Sequence, residues 1–191
     1  METKDLILAK AEPDDWRDLY ENVWSHPETA RWMLWSVTRS EDEARARMER
    51  TIAWQQTHEA YTVYLKSTGR AIGFAGFLQV DDETCEDTGV ALGPDYVRKG
   101  YGTQIVNALC QRAKTACGAK VFVLSAREQN AASRGLIESL GFRQTGIEDR
   151  VDDRDGSSYR LVFYSKELGE SRVTSHQGTG ETDDGNPAKG N

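Results

Sequence analysis

The sequence predicts an α/β fold of the mixed (α+β) kind: a mostly antiparallel central sheet flanked by helices. Three observations carry that expectation. Three β-rich runs follow one another between residues 61 and 92 with only short polar breaks, which is the pattern of a meander rather than of βαβ units. A run with Ile105, Val106, Leu109, Cys110, Ala113, Ala116 and Cys117 then recurs at helical spacing and stops at Gly118. Near the end, residues 151–164 read as a hairpin turning at Asp155-Gly156.

Taken in order, Leu6 to Ala9 is a short apolar edge strand. Pro13 suits the first turn of a helix continuing through Trp16, Leu19, Tyr20 and Val23. The chain breaks at His26-Pro27, and Glu28 to Trp35 forms a second, aromatic-rich segment. Ser40 with Glu43 reads as a capping box before a helix reaching about Thr57, on which Ala44, Met48, Ile52 and Trp54 stand among many charges that read as a solvated face. The meander comprises Tyr61–Leu65, a turn at Ser67–Arg70, Ala71–Val80, and Cys85–Leu92 beyond a polar loop. Lys120 to Ser125 predicts a buried strand, and Asn130 an N-cap before a short helix with Leu136, Ile137 and Leu140 closed by Gly141. Phe142 starts the strand that leads to the hairpin. From about Gly169 apolar residues almost vanish, so residues 1–168 are expected to form one domain and residues 169–191 a disordered tail.

Composition narrows the function. With 38% hydrophobic and 29% charged residues the chain suits a soluble globular domain, and no apolar run approaches the roughly 20 residues needed to cross a bilayer. The start, METKDLILAK, lacks the basic and apolar zones of a signal peptide. Cys85, Cys110 and Cys117 are an odd number without metal-ligand spacing; reduced thiols, a cytoplasmic location and no metal are expected. Acidic residues outnumber basic ones 31 to 24. Nucleic acid is therefore not the expected partner, whereas a cationic amine is compatible with that charge, which also serves solubility. His26, His58 and His176 are isolated and receive no role.

The chemistry concentrates where the third meander strand meets the long helix. Arg98, Lys99, Gly100, Tyr101, Gly102 and Thr103 sit at a helix start, where the first N–H groups lack internal partners and the helix dipole favours an anion such as pyrophosphate. Ile105 replaces the third glycine of a dinucleotide fingerprint, and no Walker sequence is present.

The element order, with VRKGYGT at Val97–Thr103 and NAASRGLIESLGF at Asn130–Phe142, resembles the GNAT superfamily of acetyl-CoA-dependent N-acetyltransferases, and within it the RimJ/RimL-like branch. The resemblance covers roughly Leu6 to Leu168. It implies that Arg98 to Thr103 hold the pyrophosphate of acetyl-CoA, with Val97 where the family usually has Gln or Arg. It further implies that Val90, Ala91 and Leu92 lie on a splayed strand that pairs with the pantetheine arm, near Asn130 and Ser133, and that a strand N–H near Ala91 or Leu92 stabilises the oxyanion. The general base falls at Glu86 when counted back from the loop without gaps, and at Asp87 when the branch's glycine is matched to Gly89. Ile137 stands where many relatives place a tyrosine acid, leaving Tyr101, Ser133 or water to protonate the leaving thiolate. Tyr20, Trp32 and Trp35 either line an amine slot or pack in the core. The implied reaction is direct acetyl transfer to a primary amine in a ternary complex, the acceptor being a protein N-terminus or a small polyamine or antibiotic-like amine, on a monomer or homodimer. An idle acetyl-CoA-sensing module is the alternative.

Overall fold

A computed structural model describes residues 1–169; the predicted tail, Gly169 apart, lies outside the described residues. Seven strands form one sheet: β1 (Leu6–Ala9), β2 (Glu59–Leu65), β3 (Ala71–Gln79), β4 (Thr84–Leu92), β5 (Val121–Arg127), β6 (Arg143–Val151) and β7 (Ser158–Glu167). Their order is β1-β2-β3-β4-β5-β7-β6, and every neighbouring pair is antiparallel except β4 with β5. That parallel pair needs a long crossover, and α4 (Tyr101–Cys117) supplies it. The other helices are α1 (Trp16–Leu19), α2 (Pro27–Ala30), α3 (Glu41–Thr57) and α5 (Ala131–Ser139).

Each face of the sheet buries its own core. The apolar stripe of α4 places Ile105, Leu109 and Ala113 with Phe77, Phe122 and Tyr164, all but sealed from solvent. Phe77 and Phe122 meet edge to face at 5.8 Å between ring centres. On the opposite face Leu19, Val23 and Trp24 pack against Ala44 and Met48 of α3 and Ala71 of β3. Gly118 ends α4 in the left-handed conformation, and the Asn130 side chain caps α5 by accepting the Ser133 N–H at 3.1 Å.

The first half of the chain departs from the regular helix expected from Pro13 through Val23. Pro13 opens a 3-10 turn, α1 lasts one turn, and residues 20–24 widen into a π-type turn. The widening lets both Val23 and Trp24 reach the core while the Asn22 amide donates to the Ala71 carbonyl at 2.8 Å. Residues 31–35 turn rather than continue α2, and the Ala30 and Trp35 carbonyls both accept from Arg154. At α3 the Ser40 hydroxyl accepts the Glu43 N–H as expected, but the Glu43 carboxylate takes the Arg39 N–H instead of returning to Ser40.

The chain leaves β4 through Gly93, whose N–H donates to the Ile72 carbonyl at 2.9 Å. A Cβ there would lie 2.0 Å from the Asn22 carbonyl oxygen, so only glycine lets the π-type turn and the end of β4 touch. Gly93→Ala is expected to cost about 1–3 kcal/mol through overpacking, read as a lower denaturation midpoint with an unchanged slope.

Candidate active site

The two parallel strands stay together only briefly. β4 and β5 pair at Thr84–Val121, Cys85–Phe122 and Glu86–Val123, after which β4 follows β3 and β5 follows β7. The fork coincides with a bulge: Gly76 faces Gly89 and Phe77 faces Asp87, so Thr88 has no opposite residue, and Gly89 has φ +114°. The bulge also changes which backbone groups face the gap. Beyond it Gly93 bonds to β3, and in an alternating ladder Ala91 faces β3 too, while Val90 and Leu92 turn their N–H groups toward the fork. Leu92 accepts the Thr29 hydroxyl on that side at 3.4 Å. The oxyanion donor expected near Ala91 or Leu92 is therefore not the Ala91 N–H.

Asp87 stands at the crotch of the fork. One carboxylate oxygen accepts the Ser125 N–H of β5 and the other the Gly89 N–H of its own bulge, both at 3.0 Å. Burial of the carboxyl group pushes its pKa up to about 7, against the two N–H bonds, which favour the charged form. Glu86 pairs with Leu78 and shares its face of the sheet, whereas Asp87 pairs with the core residue Phe77. The two carboxylates thus point to different sides, as strand alternation requires. Glu86 is half-buried, and its side chain has no hydrogen-bond partner among the described residues.

The predicted anion loop is built at the start of α4. Arg98 and Gly100 both have positive φ, 60° and 80°, and Arg98 is the one non-glycine among the described residues to do so. Such a kink aims successive N–H groups outward. The first bond back into the loop runs from the Gln104 N–H to the Gly100 carbonyl, so the N–H groups of Tyr101, Gly102 and Thr103 precede the helix's own ladder. Arg98 and Lys99 are exposed beside them. A Cβ on Gly102 would lie 2.7 Å from the Leu136 side chain, which fixes how closely α5 approaches the loop. Tyr101 is partly buried against the α4 core and lines a recess with Lys4, Asp5, Leu65 and Lys66, beside β1 and β2. Ile137 is buried in the core beneath α5, while Ser133 lies half-exposed on the first turn of that helix.

A cleft of about 700 Å³ opens between α3, residues 35–38 and the sheet face that carries Phe74, Thr88 and Gly89. Trp24, Trp35, Trp54 and Arg47 form its wall. Of the three aromatics expected to line an amine slot, Trp35 lines this cleft. Tyr20 packs against the second core, and Trp32 lies under the Arg31 guanidinium at 4.4 Å; neither lines this cleft. The charged face of α3 is not merely solvated, since Arg47 and Arg50 both reach the cleft. Their spacing, with Trp54 four residues further on, was the available signal.

The tip of the β6–β7 hairpin buttresses the loop behind Trp35. Asp152, 3% exposed, receives Arg154 and Arg127 at 2.6 Å each, which holds its carboxyl well below the usual carboxylate range. Arg154 also donates to the Ala30 and Trp35 carbonyls, so this ion cluster fixes the loop that carries Trp35.

The sequence profile of the acetyltransferase (GNAT) domain matches residues 5–143. The chain belongs to the GNAT family. It is 27% identical over 165 residues to the uncharacterized N-acetyltransferase p20 of Bacillus licheniformis, covering 84% of this chain and 89% of that one. It is 32% identical over 127 residues to the L-amino acid N-acyltransferase MnaT of Escherichia coli, covering 62% and 73% respectively. The solved complex of the ribosomal L7/L12 α-N-protein acetyltransferase RimL with coenzyme A superposes with a TM-score of 0.72 at 19% identity, covering 86% of this chain and 95% of that one. This GNAT chain is thus an N-acetyltransferase with a mixed, mostly antiparallel sheet, and no helix among its described residues is long and apolar enough to cross a membrane.

Asp87 is expected to titrate near pH 7 in carbon-13 NMR of its side-chain carboxyl. Because its pKa is higher folded than unfolded, the stability tied to its proton is present below about pH 4 and is lost as pH rises through 7. A titration near 4 would remove this group from the basic role considered next.

Proposed function

We propose that this GNAT enzyme moves the acetyl group of acetyl-CoA to a primary amine within a ternary complex, as a member of the RimJ/RimL-like branch. The observation that carries the reading is the fork between β4 and β5, which has outward-facing N–H groups on one arm, the anion loop beyond it and Asp87 at its base. Acetyl-CoA, when bound, supplies an acyl group already activated as a thioester.

The residues fit that ligand. The N–H groups of Tyr101, Gly102 and Thr103, with Arg98 and Lys99, hold the pyrophosphate, and Gly100 supplies the turn that aims them. Val97, 47% exposed, adds only backbone to this loop. Val90 and Leu92 offer strand-like bonding to the pantetheine arm, with Ala91 between them facing β3, and Asn130 and Ser133 meet that arm from the start of α5, just past the end of β5. The Val90 N–H, closest along β4 to Asp87, meets the acyl oxygen as negative charge builds there.

An alkylammonium has no lone pair, so two protons must leave the nitrogen as the N–C bond forms and the C–S bond breaks. Asp87, whose side chain leaves β4 on the α4 face, takes the first through water at the crotch of the fork, its pKa of about 7 keeping it both ionised and basic near neutrality. Ser133 or water passes the second to the departing sulfur, a group of pKa about 8.5 that leaves without a strong acid. The buried Ile137 is no obstacle on this route. The free cysteines Cys85, Cys110 and Cys117 take no part, and they suit the reducing cytoplasm.

Thiol release from acetyl-CoA across a panel of amines tests the reaction, with acetyl-CoA affinity measured by calorimetry. Asp87→Asn is expected to lower kcat by about 10²–10⁴ while acetyl-CoA binding stays within a few-fold, and Glu86→Gln to change kcat only a few-fold. The reverse pattern would transfer the basic role to Glu86. Acetyl-CoA binding without release to any amine would favour the sensor reading.

A further inference from the structure

Arg47 has been taken out of water without being given a carboxylate. Its guanidinium lies 4.6 Å from the ring centre of Trp24 and 4.2 Å from that of Trp35, and it donates to the Thr38 hydroxyl at 3.2 Å. Burial and repulsion from Arg50 push its pKa down to about 10, with no acidic neighbour opposing them. Elsewhere the chain pairs such groups: the largely buried Arg127 and Arg154 share Asp152. In a chain with seven more acidic than basic residues, an uncompensated cation in a cleft asks for an anion from outside. Glu43 lines the same cleft, but one of its oxygens turns to the Arg39 N–H at 2.7 Å and neither comes within ion-pair distance of Arg47.

Two further features point the same way. The Trp35 indole N–H is buried without an acceptor, a second unmet donor on the wall that holds Arg47. Arg50 lines the cleft as well, so its mouth carries two cations, a poor setting for a polyamine. The remaining wall, from Trp24, Trp35, Trp54 and Phe74, is apolar. The cleft also runs to Thr88 and Gly89, the bulge at the base of the fork.

We infer that the acceptor is an amino-acid-like amine: a small molecule whose own carboxylate is received by Arg47, with Arg50 at the mouth, and whose apolar side chain lies against the tryptophans. The assignment rests on the N-acetyltransferase reading above and narrows its acceptor. Arg47 is here a specificity residue that touches substrate, and the chemistry at the amine is unchanged.

Matched acceptors test it: phenylalanine, phenylalaninamide, phenethylamine and spermidine, each assayed by thiol release with the full-length enzyme. Phenylalanine should exceed its amide and phenethylamine by about tenfold or more in kcat/KM, and spermidine should be the poorest. Arg47→Gln should erase the preference for the acid over the amide, chiefly by raising the KM for phenylalanine, with the KM for acetyl-CoA unchanged. Arg47→Lys should keep part of the preference, and Arg50→Gln should weaken it.

A merely structural Arg47 would lower all four rates together and leave the acid-to-amide ratio intact, and that result overturns the inference. So does equal or better use of the amide or of spermidine. Should no acceptor release thiol, the N-acetyltransferase reading fails on its own account. Quenching of tryptophan fluorescence still decides the pocket, since Trp24, Trp35 and Trp54 line it: phenylalanine should bind more tightly than its amide to the wild type and equally to Arg47→Gln. No such difference overturns the inference.

Discussion

The separation of β4 from β5 is the constraint on which the site depends. Leaving ladder groups unpaired is costly in a folded chain, and the fork persists because Asp87 satisfies a donor on each arm, Ser125 N–H on β5 and Gly89 N–H on β4. The bulge at Thr88 lets one strand serve two masters: before it β4 presents its groups to β5, and beyond it Val90 and Leu92 present theirs to the gap. A carboxylate that bridges two backbone donors and yet is raised to about 7 by burial is both a structural pin and a titratable group at neutral pH.

The two sides of the sheet then divide the labour. On one side α4 crosses between the parallel strands, and its first turn, kinked by positive φ at Arg98 and Gly100, sets the anion loop at the end of β4. On the other, α3 and residues 35–38 wall the cleft. Gly93 joins these halves, because the close contact with Asn22 ties the exit of β4 to the π-type turn that buries Trp24.

Much of the fold was legible in the sequence because it rests on local signals. The meander, the stripe of α4, the Asn130 cap and the glycine stops at Gly118 and Gly141 all announce themselves within a few residues. The kinked glycine loop before α4 was legible for the same reason. What sequence reasoning missed depends on partners distant in the chain. Nothing near Tyr20 announces a π-type turn, since its cause is Asn22 meeting Ala71. The loop at residues 31–35 is held by Arg154, more than a hundred residues away. Ala91 was excluded as a donor by a phase that only the bulge at Thr88 determines. Arg47 looked like one more charge on a solvated helix because Trp24 and Trp35 approach it only in three dimensions.

The Asp152 cluster bears on the order in which the protein is made. A chain leaves the ribosome N-terminus first, so the anion loop, α4 and β5 emerge before the hairpin tip does. Residues 31–35 then wait for Arg154, which reaches back 124 residues to Ala30 and 119 to Trp35. The glycine loop before α4 is thus specified early in synthesis, and the loop that carries Trp35 is fixed last, by a hairpin that also completes the sheet.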